Sequence, residues 1–381
     1  MEANNRFPKF IPVRLIEARE IRGMTTTELA KELGISQQAV SKYENGSSPP
    51  SLETLEKMSE TLKVPISFFF KKITSTNNSV VFFRSKSLAT VKSKKVHANK
   101  LKWIKDIQLY LNEIIDFPEV KIPRIITREN YIPTDFEEID EIASKVRNMW
   151  GLGNGPISNV VLLLEKMGAI VARSPFSNYS IDACSVWEDD DRPFILLSND
   201  KTAPRSRFDI AHELGHLVLH SRIKQSEFNI KENYKLIEKE ANRFAGTFLL
   251  PSPSFGTEIL STSLDHFISL KKRWKISIAA MSYRAKTLEI FSEYQYIYMR
   301  KKMAQNNWLT NEPLDNEFSF EEPIVLKQAI EAIVENGVKT RQDIVNEIGI
   351  HREEIEAIAN LDNGYLVSND QANIIPLRFK K

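Results

Sequence analysis

Cysteine is almost missing from this chain. One of its 381 residues is a cysteine, Cys184, so no internal disulfide can form and a reducing compartment is implied. Long apolar runs are missing too. No stretch reaches the roughly 18 apolar residues of a membrane span, and the N-terminus shows no apolar core of a secretory signal. These absences exclude a disulfide-stapled secreted module and a membrane-spanning protein. They predict a cytoplasmic chain with no membrane partner. Net charge is small, with 52 basic against 50 acidic residues, but that balance averages unlike regions. Acid is locally absent from Lys71 to Lys105, which hold ten basic residues and no Asp or Glu.

The length predicts two or three domains. Hydrophobic content of 42% with 27% charged residues fits globular folding. Residues 10–70 read as short helices broken by tight turns. Thr25 caps Thr26 to Leu33, Gly34 stops it, Ser36 caps Gln37 to Asn45, and Ser51 opens a fourth helix. Residues 73–134 read as a basic linker, with a polar patch at Thr74 to Ser79 and an amphipathic helix from about Leu101 to Ile115. Near Asp135 a second globular region begins. It has helices at Phe136 to Trp150 and Ile157 to Met167. Strands follow at Ala169 to Arg173, Ala183 to Trp187 and Phe194 to Leu197, with an acidic turn at 188–191. Residues 301–381 read as mostly helical.

Among the strands and helices of this second region lies His212-Glu213-Leu214-Gly215-His216, an H-E-x-x-H pattern in an apolar helix expected from Ala203 to Ser221. Histidines four apart share a helix face, so both imidazoles can reach one metal ion. Glu213 stands one step round, where it can take a proton from water. A catalytic zinc wants three protein ligands and an open position. Downstream, Glu240 falls on the face flanked by Ala241 and Phe244, whereas Glu238 points about 200° away at ~100° per residue. Glu240 is therefore the expected third ligand. His220 continues the histidine face and is expected to support rather than ligate, and Asn242 can orient a ligand.

The run Arg205 to His220, with Glu240-Ala241-Asn242-Arg243-Phe244-Ala245 and Leu249-Leu250-Pro251, resembles the ImmA/IrrE metallopeptidases. So do Gly155-Pro156-Ile157 with Leu164-Glu165, and Ile181-Asp182-Ala183. The resemblance covers about residues 135–300. It implies an α+β gluzincin-like domain with a small sheet, in which His212, His216 and Glu240 bind zinc and Glu213 is the general base. It also implies an endopeptidase acting on repressor proteins. His/His/Glu ligands also tolerate manganese or another divalent ion. Arg205, Arg207 and Tyr179 are open candidates to stabilise an oxyanion, and Ala183 to Trp187 can pair with an extended substrate.

Met24 to Gly46 has helix-turn-helix spacing, with small Ala30 at the crossing and Gly34 in the turn. Gln37, Gln38, Ser41 and Lys42 form the exposed face of its second helix, able to reach base edges and phosphates. The segment resembles the Xre/Cro-type domain over residues 10–70, in which Thr26 takes a phosphate-contacting position. The resemblance implies operator DNA as a partner, bound as a homodimer. Asp343 to His351 repeats the pattern of Glu28 to Ser36, but Arg352-Glu353-Glu354-Ile355-Glu356 would repel phosphate, so packing is expected there.

The expected architecture is thus multidomain: an all-α helix-turn-helix domain at 1–72, the linker at 73–134, the metallopeptidase-like domain at 135–300 and a helical region at 301–381. The expected function is a DNA-binding regulator with a zinc endopeptidase that cleaves a repressor-type protein or its own linker. Two alternatives stand: a transcription factor whose metal domain senses or merely supports, and an antitoxin-like or defence component.

Overall fold

In the computed structural model, residues 9–73, 80–85, 90–174, 181–187 and 192–367 are described. The first helices follow their caps. α1 (Pro12–Ile21) is followed by α2 (Thr26–Leu33), where Thr25 and Glu28 form a reciprocal capping box. Gly34 takes a left-handed φ of 67°, which sets the tight turn into α3 (Gln37–Glu44), capped by Ser36. α4 (Leu52–Leu62) and a 3-10 turn at Ile66–Phe70 complete this unit. Leu29, Ala30, Leu33 and Val40 are buried where α2 and α3 cross, and Arg19 of α1 clasps Glu44 of α3 through two hydrogen bonds.

The segment expected as a linker does more than connect. β1 (Val81–Ser85) joins a sheet, and α5 (Val91–Asn112) begins ten residues before the helix read from the sequence, capped by Thr90. Trp103, Ile104, Ile107 and Leu111 of α5 are fully buried. Arg14 of α1 donates to Asp106 of α5 at 2.9 Å, tying the first unit to this helix.

The remaining elements are α6 (Phe136–Met149), α7 (Val160–Lys166), β2 (Ile170–Ser174), β3 (Ile181–Trp187), β4 (Pro193–Ser198), α8 (Ala203–Leu219), α9 (Gln225–Phe228) and α10 (Lys231–Leu249). After them come α11 (Leu264–Trp274), α12 (Ile278–Thr287), α13 (Glu293–Gln305), α14 (Val325–Glu335), α15 (Arg341–Ile348) and α16 (Arg352–Ile358). The sheet runs β1-β3-β4-β2, with β2 parallel to β4 and the other pairs antiparallel. It separates two apolar cores. Cys184, Val186, Phe194 and Leu196 face α5 and the terminal helices, while Ala183, Trp187, Ile195 and Leu197 face α7 and α8.

Near the C-terminus the helix-turn-helix echo is real in outline. Thr340 and Asp343 form a capping box at α15, and Gly349 turns the chain at φ 66° into α16. Two of the acids of α16 are engaged in packing. Glu354 pairs with Arg22, and buried Glu356 accepts from the amides of Gly364 and Leu366. No helix among the described residues is long and apolar enough to cross a membrane.

Candidate metal centre

Helix α8 is buried nearly throughout, and His212, Glu213 and His216 each have 0% exposure. Gly215 lets α10 cross close by. A Cβ at Gly215 would lie 3.1 Å from the Ala241 carbonyl and 3.2 Å from its Cα. That crossing decides which carboxylate joins the two histidines. Ala241 sits at the point of contact, and Glu238, three residues earlier, lies about 60° from it at ~100° per residue, while Glu240 lies about 100° away. Glu238 therefore leans toward the histidines. Its carboxylate approaches His212 Nε2 at 3.5 Å and His216 Nε2 at 3.4 Å, and the two Nε2 atoms are 3.0 Å apart. Ligand atoms of His212, His216 and Glu238 all fall within 4.8 Å of one another. Glu240, expected as the third ligand, does not converge with them. Ala241 and Phe244 do pack inward, but Glu240, next to Ala241 in the chain, is turned about 100° off that face.

Glu240 has another place. Its carboxylate accepts from Tyr131 Oη at 2.6 Å, from the Thr134 amide at 2.9 Å, and from His220 Nε2 at 2.9 Å. With His220 Nε2 donating, its Nδ1 accepts from His216 Nδ1 at 3.1 Å. That leaves the His216 Nε2 lone pair free to ligate. A parallel arrangement holds His212. The Asn242 amide donates to the Glu238 carbonyl at 2.7 Å, so its Oδ1 accepts from His212 Nδ1 at 3.1 Å. Both histidines thus present the correct tautomer to one point.

Electrostatics agree with a cation-binding centre. Burial, then the Arg84 charge, pulls His212 down to about 3, so its ring stays neutral and able to ligate. Glu213 is pushed up to about 7, chiefly by burial, with His216 and a Ser185 hydrogen bond opposing. Ser185 Oγ donates to Glu213 Oε2 at 2.5 Å, while Oε1 is buried with no hydrogen-bond partner among the described residues.

Several participants carry no sequence signal. Arg84 of β1 pairs with Asp209 and donates to Asn242 Oδ1 at 3.0 Å. Phe82 stacks on His216 with ring centroids 4.7 Å apart and an interplanar angle of 10°. A cleft of about 710 Å³ borders the centre, lined among others by Arg84, Phe208, Asp209, Glu238 and Asn242. Of the open oxyanion candidates, Arg205 also lines this cleft and donates to the Leu309 carbonyl. Arg207 is turned away into an ion pair with Glu321 and a hydrogen bond to the Ile157 carbonyl. Tyr179 and the acidic turn at 188–191 lie outside the described residues.

On α3, Gln37, Gln38, Ser41 and Lys42 are exposed on the outer surface, with Thr26 half-buried beside them. Gln37 Nε2 donates to Thr26 Oγ1 at 3.2 Å, so the first residues of α2 and α3 form one continuous patch.

Comparison with known proteins fits this division. A helix-turn-helix family model matches residues 15–69, and a family model described as an IrrE N-terminal-like domain, a peptidase family, matches residues 164–286. Proteins from Sinorhizobium medicae (strain WSM419) and Rhizobium meliloti (strain 1021), both named uncharacterized HTH-type transcriptional regulators, are each 40% identical over 53 residues. The match takes in 14% of this chain and spans 38% of the length of each relative. The chain therefore carries a helix-turn-helix domain ahead of a peptidase-type domain with a small four-stranded sheet.

Proposed function

We propose that this chain is a DNA-binding transcriptional regulator whose middle domain is a zinc-dependent endopeptidase. Its substrate would be a repressor-type protein or its own segment between the two domains. The observation that carries the reading is the convergence of His212, His216 and Glu238 beside a buried Glu213 with one unpartnered oxygen. Two neutral imidazoles and one carboxylate are a donor set suited to zinc, and manganese also fits it. When bound, the ion supplies Lewis acidity toward a peptide carbonyl and acidifies water.

The chain's own residues supply the rest. Glu213 takes the proton of the attacking water on Oε1 and delivers it to the departing amine nitrogen. Ser185 fixes Oε2, so the carboxylate cannot swing away. Asn242 and the Glu240–His220 pair hold the two imidazoles in register. On DNA, Gln37 and Gln38 reach base edges while Lys42, Ser41 and Thr26 meet phosphate.

Glu213→Gln is the direct test. Mass spectrometry of a candidate repressor after incubation with zinc-loaded protein should show cleavage by wild type and a loss of about 10²–10⁴-fold in the variant. DNA affinity should not change. Wild-type cutting by the variant would remove Glu213 from the chemistry. One observation favours a quieter second reading, in which the domain senses metal and turns over little: the centre has no exposed surface at His212, Glu213 or His216. Removing zinc would then change DNA affinity, and no form of the protein would cleave.

A further inference from the structure

β1 stands out among the strands because its inward side chains serve the metal centre instead of a core. It pairs antiparallel with β3, Phe82 opposite Ser185 and Arg84 opposite Ala183. Opposed residues in an antiparallel pair share a face. Ser185 holds Glu213 on that face, so Phe82 and Arg84 are delivered to the same place. Phe82 is 3% exposed, sandwiched by His216 and, edge-on at 5.1 Å, by Phe228. Arg84 lies over the Phe208 ring, bound to Asp209 and Asn242. Between them the Phe83 carbonyl accepts from the Tyr234 hydroxyl at 3.4 Å. A short extended segment is thus held by strand pairing, by an aromatic niche, by a cation site and by a carbonyl donor, all around one centre. That is how an extended peptide is recognised when it adds to a sheet edge.

We infer that β1 is an intramolecular occupant of the peptide-substrate track along β3. A substrate enters by displacing it, and the track selects extended peptides with an aromatic residue in the His216–Phe228 niche and a cationic residue two positions on at Asp209. This rests on the peptidase reading for its chemistry but not for its test, which reads binding.

The probe is the labelled hexapeptide Val-Val-Phe-Phe-Arg-Ser, the sequence of residues 80–85, titrated into zinc-loaded full-length Glu213→Gln protein. In wild-type β1 the track is filled, and Phe82→Ala with Arg84→Ala empties it. If the open form is at most about a tenth of the population, freeing the strand tightens peptide binding by about tenfold or more. Adding Asp209→Asn to the freed protein should abolish that gain. A second arm locks the strand. Phe83 lies opposite Cys184, the chain's one cysteine, and opposed residues have Cα atoms about 4.5–5.5 Å apart, within the range a disulfide spans. Oxidised Phe83→Cys, with the cross-link verified by mass, leaves no open form and should lose the hexapeptide binding that its reduced form retains. Equal binding by freed and wild-type protein, or by locked and reduced protein, overturns the assignment.

Restoring Glu213 separates the two claims. Peptide binding that follows the state of β1 without cleavage in any form leaves the strand assignment standing and removes the peptidase. Cleavage at equal rates with β1 locked and free keeps the peptidase and removes the strand assignment.

Discussion

Helix α3 and helix α8 both carry the reactive residues of their regions, and they present them in opposite ways. On α3, Gln37, Gln38, Ser41 and Lys42 face solvent, ready for a partner without rearrangement. On α8, His212, Glu213 and His216 have no exposed surface, and Phe82 lies on His216. An exposed set can be read from local sequence, because a cap, a turn and helical spacing fix which side faces out. A buried set depends on what crosses it. The contrast also says that one region can act as it stands, while the other has to open before a macromolecule reaches it.

The sharpest way to break that contrast is at α10. Glu238→Gln should remove a ligand and cost more than the loss from Glu240→Gln, which acts through His220 and is expected to cost about 10–100-fold in metal affinity. Zinc titration against a competing chelator gives both numbers. The reverse order would return the ligand role to Glu240. Neither substitution should alter DNA affinity.

Buried charge gives a second separation. Glu165 accepts from the Ile324 and Val325 amides, where the C-terminal helices join the peptidase-type domain. Burial raises its carboxyl from 4.5 to about 7 against the pull of those amides. A folded-state pKa above the unfolded one means the folded chain binds the proton more tightly. Stability from this group is complete below about 4.5 and falls as pH rises to about 7, by on the order of 3 kcal/mol. Thermal unfolding followed across that range should lose this part of its slope in Glu165→Gln. An unchanged slope would mean the carboxylate is ionised in place.

On the open side the expected effects are smaller. Gln38→Ala should cost about 1–3 kcal/mol at one base pair and relax selection there, whereas Lys42→Ala should weaken all sequences alike and lower the salt slope by about one. Binding measured at two or more salt concentrations distinguishes them. Zinc affinity should be untouched in both, since α3 packs against α1 and α2.

Much of this was legible in the chain. Thr25, Gly34 and Ser36 punctuate α2 and α3 so strongly that local propensity and fold agree, and the H-E-x-x-H spacing announces α8 and the meeting of its two imidazoles. What was not legible came from tertiary crossing. Periodicity favours Glu240 over Glu238 until Gly215 is seen to bring Ala241 close. Val81 to Ser85 sits within a basic stretch whose composition reads as linker, and only pairing with β3 shows that Phe82 and Arg84 belong to the metal centre. The start of α5 was hidden the same way, because its first turns carry lysines, one of which, Lys95, α1 answers with Glu20.

The smallest effect concerns the two helix-turn-helix shapes. Both use a threonine capping box and a left-handed glycine, yet only the first shows its second helix to solvent. In the other, Glu354 meets Arg22 of the first unit with both side chains about a fifth exposed. Arg22 also donates to the Leu62 and Lys63 carbonyls and lies over the Trp103 ring, so it stays in place without Glu354. Partly solvated pairs of this kind contribute about 0–1 kcal/mol. A double-mutant cycle on Arg22→Gln and Glu354→Gln, read by urea unfolding, should therefore give a coupling within that range. A coupling of several kcal/mol would make this pair the clasp between the two shapes, and the first would then owe its position to the second rather than to Arg14 and Asp106 on α5.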